Sequence, residues 1–157
     1  MTRTRTKPAL VLALAVLTGA CGDGKQATAP HPTAGAANVA RAQDAAQIAR
    51  GEAIYNAHCA ECHGHRGVAT SAWRNPGPDG KYPPPPLDDS AHAWHHPTVV
   101  LRRVIAKGSP PGMGNMPAWE DRLSPQQIDD VIAYIKSLWS DEIYARWQQI
   151  ESQAVAR

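Results

Sequence analysis

Phenylalanine is absent from this chain of 157 residues, and aromatic residues of every kind make up only 6% of it. With 14 prolines as well, much of the sequence is unsuited to regular packing. A domain this small with so thin an apolar core needs a staple or a cofactor to hold it together. Cysteine is scarce and odd in number, at three. Charge of one sign is not in excess, since the formal net charge is +2, and no basic cluster suggests nucleic-acid binding. Only one apolar run stands out, Ala9 to Leu17, and it is too short to span a bilayer comfortably. Runs alternating apolar and polar residues are missing too, as are internal repeats, so no strand is expected.

That apolar run follows Arg3, Arg5 and Lys7 and leads into Thr18-Gly19-Ala20 and Cys21. A basic start, a short apolar stretch and a small-residue end make residues 1–20 a secretory signal. Removing the three basic residues leaves 13 bases facing 14 acids, a net charge near −1. Cys21 resembles the lipidation site of bacterial lipoproteins, although Thr18 stands where leucine is usual and Leu17 lies one place further back. A lipid on Cys21 would also account for the odd thiol in an exported protein. Residues 21–43 are rich in Ala, Gly, Thr and Pro and cannot build a core, which suits a flexible tether.

A compact domain is expected over 44–140. From Asp44 to Ala57 no proline intervenes, and Ile48, Ala49, Glu52 and Tyr55 recur at helical spacing. Residues 74–90 hold Pro76, Pro78, Pro83, Pro84, Pro85 and Pro86, which exclude a helix interior. Thr98 to Lys107 is a short helix stopped by Gly108, and 108–117 is a second stiff loop. Ser124, Pro125 and Gln127 give a capped start to a last helix, with Ile128, Val131, Ile132, Ile135 and Leu138 as its apolar stripe. Residues 141–157 form a helical tail, either continuing that helix or starting anew from Ser140. The domain is expected to be all-α.

The chemistry lies in Cys59-Ala60-Glu61-Cys62-His63. Cys-x-x-Cys-His is the attachment signal for c-type haem. On a helix these three residues are i, i+3 and i+4 and project from one face, so two thiols can take the haem vinyl groups while the imidazole reaches the iron. A thioredoxin-like redox pair would want a βαβ setting. A zinc site built from Cys59 and Cys62 with His58, His63 or His65 is too tightly spaced and has no second Cys-x-x-Cys pair. A plain disulfide is the remaining rival. Sulfur from methionine is a common sixth ligand, and beyond the signal the chain offers Met113 and Met116, both in the stiff Gly112-to-Pro117 loop.

From about Asp44 to Trp139 the chain resembles the class I cytochrome c family, most closely its small bacterial electron-carrying members. Gly51, Tyr55 and Cys59 match that family's first helix, Tyr134 its partner aromatic on the last helix, and Met116-Pro117 with Ala118-Trp119 its distal-ligand segment. The resemblance implies N- and C-terminal helices packed around one covalent haem, with long irregular loops. It implies His63 and Met116 as iron ligands, and a proline carbonyl, assigned to Pro85 of Pro85-Pro86-Leu87, orienting the His63 imidazole. It also implies one-electron transfer rather than catalysis, because both axial positions are filled. The alternative is a haem-based sensor or peroxidase-like enzyme with a displaceable distal Met. A third reading is the electron-accepting partner of a larger dehydrogenase or oxidase.

The expected partners are transient redox proteins, met by a monomer in the periplasm or at a periplasm-facing membrane, with no nucleic acid. His92, His95 and His96 are the remaining cluster. They suggest either a copper or other metal site, a distal haem ligand, or simply a surface turn entering the helix at Thr98, and the absence of a nearby matched carboxylate or thiol favours the turn.

Overall fold

A computed structural model describes residue 41 and residues 44–156. Five α-helices account for its regular structure: α1 (Ala45–His58), α2 (Ala60–His63), α3 (Thr98–Lys107), α4 (Pro125–Ser137) and α5 (Asp141–Val155). Two single 3-10 turns, His65–Gly67 and Ala93–His95, interrupt the loops. No strand occurs among the described residues. The all-α expectation holds. The signal segment, Cys21 and nearly all of the expected tether lie outside the described residues.

Each helix start has a local cause. The Asp44 carboxylate accepts from Ala46 N at 2.9 Å and caps α1. Ser124 and Gln127 form a reciprocal capping box at α4, with Pro125 in its first turn, as the sequence indicates. Ser140 caps α5, so the chain breaks at Leu138 and Trp139 and starts a new helix rather than extending α4.

Helices α1 and α4 cross at their closest approach beside Gly51. A methyl group there would sit 1.9 Å from the Asp130 carbonyl oxygen. One turn on, Tyr55 is 0% exposed and its ring lies 5.0 Å from that of Tyr134, tilted rather than stacked. At the edge of the crossing Arg50 forks onto the buried Asp130 carboxylate, with contacts of 2.9 and 3.2 Å. Gln126 adds a third bond at 2.9 Å. The Arg50 guanidinium holds the Asp130 carboxyl below its ordinary range.

The core that follows is aromatic in spite of the missing phenylalanine. Ile128, Val131, Ile132 and Ile135 of α4 are buried, together with Trp119, Trp139, Tyr144 and Trp147. The last two belong to α5, whose place relative to the domain the sequence left open. They supply apolar mass from the chain itself, in addition to what a cofactor would add. The Trp139 indole donates to the Leu87 carbonyl at 2.9 Å, so the ring is packed and its N–H is satisfied. Arg41 fastens the start of α5, donating to Asp141 Oδ1 at 2.8 Å and to the Trp139 carbonyl at 2.6 Å. The α3 stripe is less buried than its sequence suggests: Ile105 is inside, whereas Val99 is exposed.

Lys136 runs inward between α4 and α5. Its ammonium donates to Thr98 Oγ1 at 2.7 Å and sits 3.8 Å from the centre of the Trp147 ring. Burial lowers its pKa to about 8, against a smaller opposing pull from Glu151.

Two outcomes test this packing. Gly51→Ala should cost about 1–3 kcal/mol in chemical unfolding by forcing α1 and α4 apart, and unchanged stability would remove the crossing from its central place. Between about pH 8 and the ordinary lysine value of 10.5 the folded protein binds fewer protons at Lys136 than the unfolded chain does. Stability contributed by this group therefore rises with pH through that window. Lys136→Met should flatten the rise in urea midpoints measured from about pH 8 to about pH 10.

Candidate haem site

The Cys59 segment grows directly out of the crossing. Cys59 ends α1, its N–H bonded to the Tyr55 carbonyl at 2.8 Å, and its own carbonyl accepts from His63 N at 2.9 Å. Residues 59 to 63 thus form one helical turn, which sets Cys59, Cys62 and His63 on a common side. Both thiols are free, Cys62 exposed and Cys59 half-buried. Burial pushes the Cys59 thiol up to about 11, with Cys62 adding to the effect.

His63 is 8% exposed. Its Nδ1 lies 2.9 Å from the Pro85 carbonyl oxygen. A carbonyl can only accept, so Nδ1 carries the proton and the lone pair is left on Nε2. Burial lowers the imidazole pKa, although the Pro85 bond pulls the other way, and the ring is neutral at pH 7. A neutral imidazole with Nδ1 tied to a carbonyl is the form that ligates a metal.

The backbone beyond His63 is held in a shape that side chains resist. Gly64 has φ 75° and ψ 164°, a region open essentially to glycine, and a methyl there would meet the Val68 carbonyl oxygen at 2.2 Å. The Tyr55 hydroxyl donates to the Gly64 carbonyl at 2.9 Å, and Leu87 N donates to the Gly67 carbonyl at 2.8 Å. Sequence reasoning passed over Gly64 and Gly67. Their position just after the Cys-x-x-Cys-His segment was the available signal.

Of the two methionines, Met116 is half-buried and packs against the core, whereas Met113 is 54% exposed. Ser109 holds the Met116 backbone at both ends: its Oγ accepts from Met116 N at 3.2 Å, and its N–H donates to the Met116 carbonyl at 3.0 Å. The Pro-rich stretch joins the two halves of the site. Pro85 bonds His63, and Tyr82 N donates to the Met113 carbonyl at 3.0 Å. Val68, Tyr82 and Met113, one from each of these three loops, are exposed large apolar side chains. The thiol pair and the neutral imidazole, set on one helical turn, fit a haem.

Known proteins agree. The family described as "Cytochrome C oxidase, cbb3-type, subunit III" matches residues 46–135. The chain belongs to this cytochrome family. It is 31% identical over 98 residues to the cbb3-type cytochrome c oxidase subunit CcoP of Azospirillum sp. (strain B510), covering 62% of this chain and 31% of that protein. It is also 31% identical over 90 residues to subunit FixP of Bradyrhizobium diazoefficiens, covering 57% of this chain and 27% of that one. The matched stretch thus spans less than a third of either curated relative. No solved structure matches. As a c-type cytochrome domain, the chain carries covalently bound haem c with its iron and serves electron transfer. Helix α5 lies beyond the matched residues.

The histidine cluster forms a turn and the approach to a helix. Ala93–His95 is a 3-10 turn and α3 begins at Thr98. His92 stacks on Trp73 at 4.8 Å and meets His96 edge-on at 5.6 Å. Burial lowers the pKa of both imidazoles. Among the described residues no three His, Cys, Asp or Glu side chains are grouped to hold a metal ion, and no helix is long and apolar enough to cross a membrane.

Gly64→Ala tests the turn beyond His63. It should cost about 1–3 kcal/mol from backbone strain alone and reduce the yield of haem-loaded protein. Full yield at unchanged stability would show that the Gly64 conformation is not required.

Proposed function

We propose that this chain is a one-electron carrier working outside the cytoplasm, with Cys59 and Cys62 attaching the haem and His63 and Met116 as axial ligands. The observation that carries this reading is the bond from His63 Nδ1 to the Pro85 carbonyl, which orients a buried neutral imidazole beside two free thiols. When bound, the haem supplies the redox chemistry, its iron cycling between the ferrous and ferric states. The protein's own part is to fix the imidazole and to present the Met116 thioether on a stiff loop. Pro85 acts through His63, since a hydrogen bond at Nδ1 raises the basicity of Nε2.

Met116 is favoured over Met113 by its burial and by the two Ser109 bonds to its backbone. If His63 and Met116 both held the iron, no position would be left for a substrate, and the chain would transfer electrons without itself being an enzyme. Thioether ligation raises the potential relative to a second imidazole. Residues 1–20 act as the export signal. Lipidated Cys21, followed by the tether to residue 43, holds the domain at a periplasm-facing membrane.

The likeness to oxidase subunits favours a second arrangement for the same chemistry, in which the domain hands electrons to a larger oxidase assembly instead of diffusing between partners. The partners are proteins in either case.

Substitution of the two methionines tests the ligand assignment. Ferric haem with a thioether ligand has a weak red charge-transfer band. Met116→Ala should abolish it and Met113→Ala should leave it. A band that survives the first substitution and disappears with the second would transfer the role to Met113.

A further inference from the structure

The Pro-rich stretch does more than avoid helix. Residues 77–81 close a tight turn: Gly80 N donates to the Gly77 carbonyl at 2.9 Å, Gly77 N to the Lys81 carbonyl at 2.8 Å, and Lys81 N to Asp79 Oδ1 at 3.0 Å. Gly80 takes φ 75° within it. This turn and Tyr82 just after it reach across to the methionine loop by three bonds. The Lys81 ammonium donates to Asn115 Oδ1 at 2.6 Å, Asn115 Nδ2 donates to Asp79 Oδ2 at 3.2 Å, and Tyr82 N donates to the Met113 carbonyl at 3.0 Å.

Both ends of the Asn115 amide are therefore engaged, one by a cation and one by an anion, which permits a single orientation. Asn115 is the residue immediately before Met116. Beyond the turn the chain continues as Pro83-Pro84-Pro85-Pro86, four residues with φ restricted by their rings. Pro85 in that run bonds His63. One stiff segment thus touches the loop carrying Met116 at one end and the His63 imidazole at the other.

We infer that residues 77–87 form a strap that keeps Met116 in place, with Asp79, Lys81 and Asn115 as its clamp. These are positioning residues, acting on Met116 through the backbone of its loop. The inference rests on Met116 being the distal ligand, as proposed above, and goes beyond it to state what decides whether that ligand stays bound. A loop that opens locally releases whatever it carries, and the open population is set by the bonds closing it. Ser109 closes the Met116 loop from inside, and the clamp closes it from outside. Asp79 and Asn115 are exposed, so their removal leaves the core intact and loosens only the loop.

Carbon monoxide binding to the reduced, haem-loaded protein reads this opening directly, because the gas needs the position that Met116 occupies. The wild type is compared with Asp79→Ala, Asn115→Ala and, as a control, Arg102→Ala, which breaks only the α3–α4 ion pair to Asp129. The ferric red band is recorded for each. The expected result is a band in the wild type, carbon monoxide binding about tenfold faster in the Asp79 and Asn115 variants, and no change in the Arg102 variant. A wild-type band with unchanged binding in both clamp variants would overturn the strap and leave the ligand assignment standing. A wild type with no band would overturn the ligand assignment, and the strap with it.

Discussion

The contact on which the rest depends is the crossing of α1 and α4 at Gly51. No side chain separates the two backbones there, since a methyl would lie 1.9 Å from the Asp130 carbonyl oxygen. That approach brings Tyr55 against Tyr134 and places the Arg50 fork on Asp130. From Tyr55 the consequences run outward by hydrogen bonds. Its carbonyl receives Cys59 N, and its hydroxyl holds the Gly64 carbonyl. The haem-attachment segment is thus fastened at its start to the Tyr55 backbone and just beyond its end to the Tyr55 hydroxyl, and Tyr55 is itself locked in the helix crossing.

A second constraint comes from irregular chain. Proline-rich loops are usually read as connections, yet here one of them reaches both sides of the site. Its stiffness matters because a hydrogen bond from a carbonyl orients an imidazole only if the carbonyl itself is fixed. Pro85 can hold His63 because its neighbours cannot rotate freely about φ. The Met116 loop gains similar rigidity from Ser109 and from contact with residues 77–82. Electron transfer benefits from a centre that changes little between oxidation states. Two short helices and two braced loops are one way to build such a centre from a small core.

Much of this was legible in the sequence. The helices over 45–58, 98–107 and 125–137 follow from periodicity and caps, and Ser124 with Gln127 forms the box its spacing suggests. The Cys-x-x-Cys-His segment and the two candidate methionines could be named without coordinates. What stayed hidden depends on partners far apart in the chain. Asn115 looked like any loop polar residue until Asp79 and Lys81 were seen across from it. Gly64 and Gly67 gave no periodic signal, because their need is a backbone angle. Trp147 and Tyr144 lay in a segment read as a tail, and only the tertiary packing shows them sharing a core with Trp139 and Tyr55.

The central claim is that a haem held by Cys59 and Cys62 cycles by one electron while ligated by His63 and Met116. An optical redox titration of the purified, haem-loaded protein tests it most directly. The expected result is a single one-electron transition, in which the red charge-transfer band of the ferric form fades at the same midpoint as the ferrous c-type bands rise. A haem that washes out under denaturing extraction would contradict covalent attachment. A ferric spectrum without that band would contradict the axial pair.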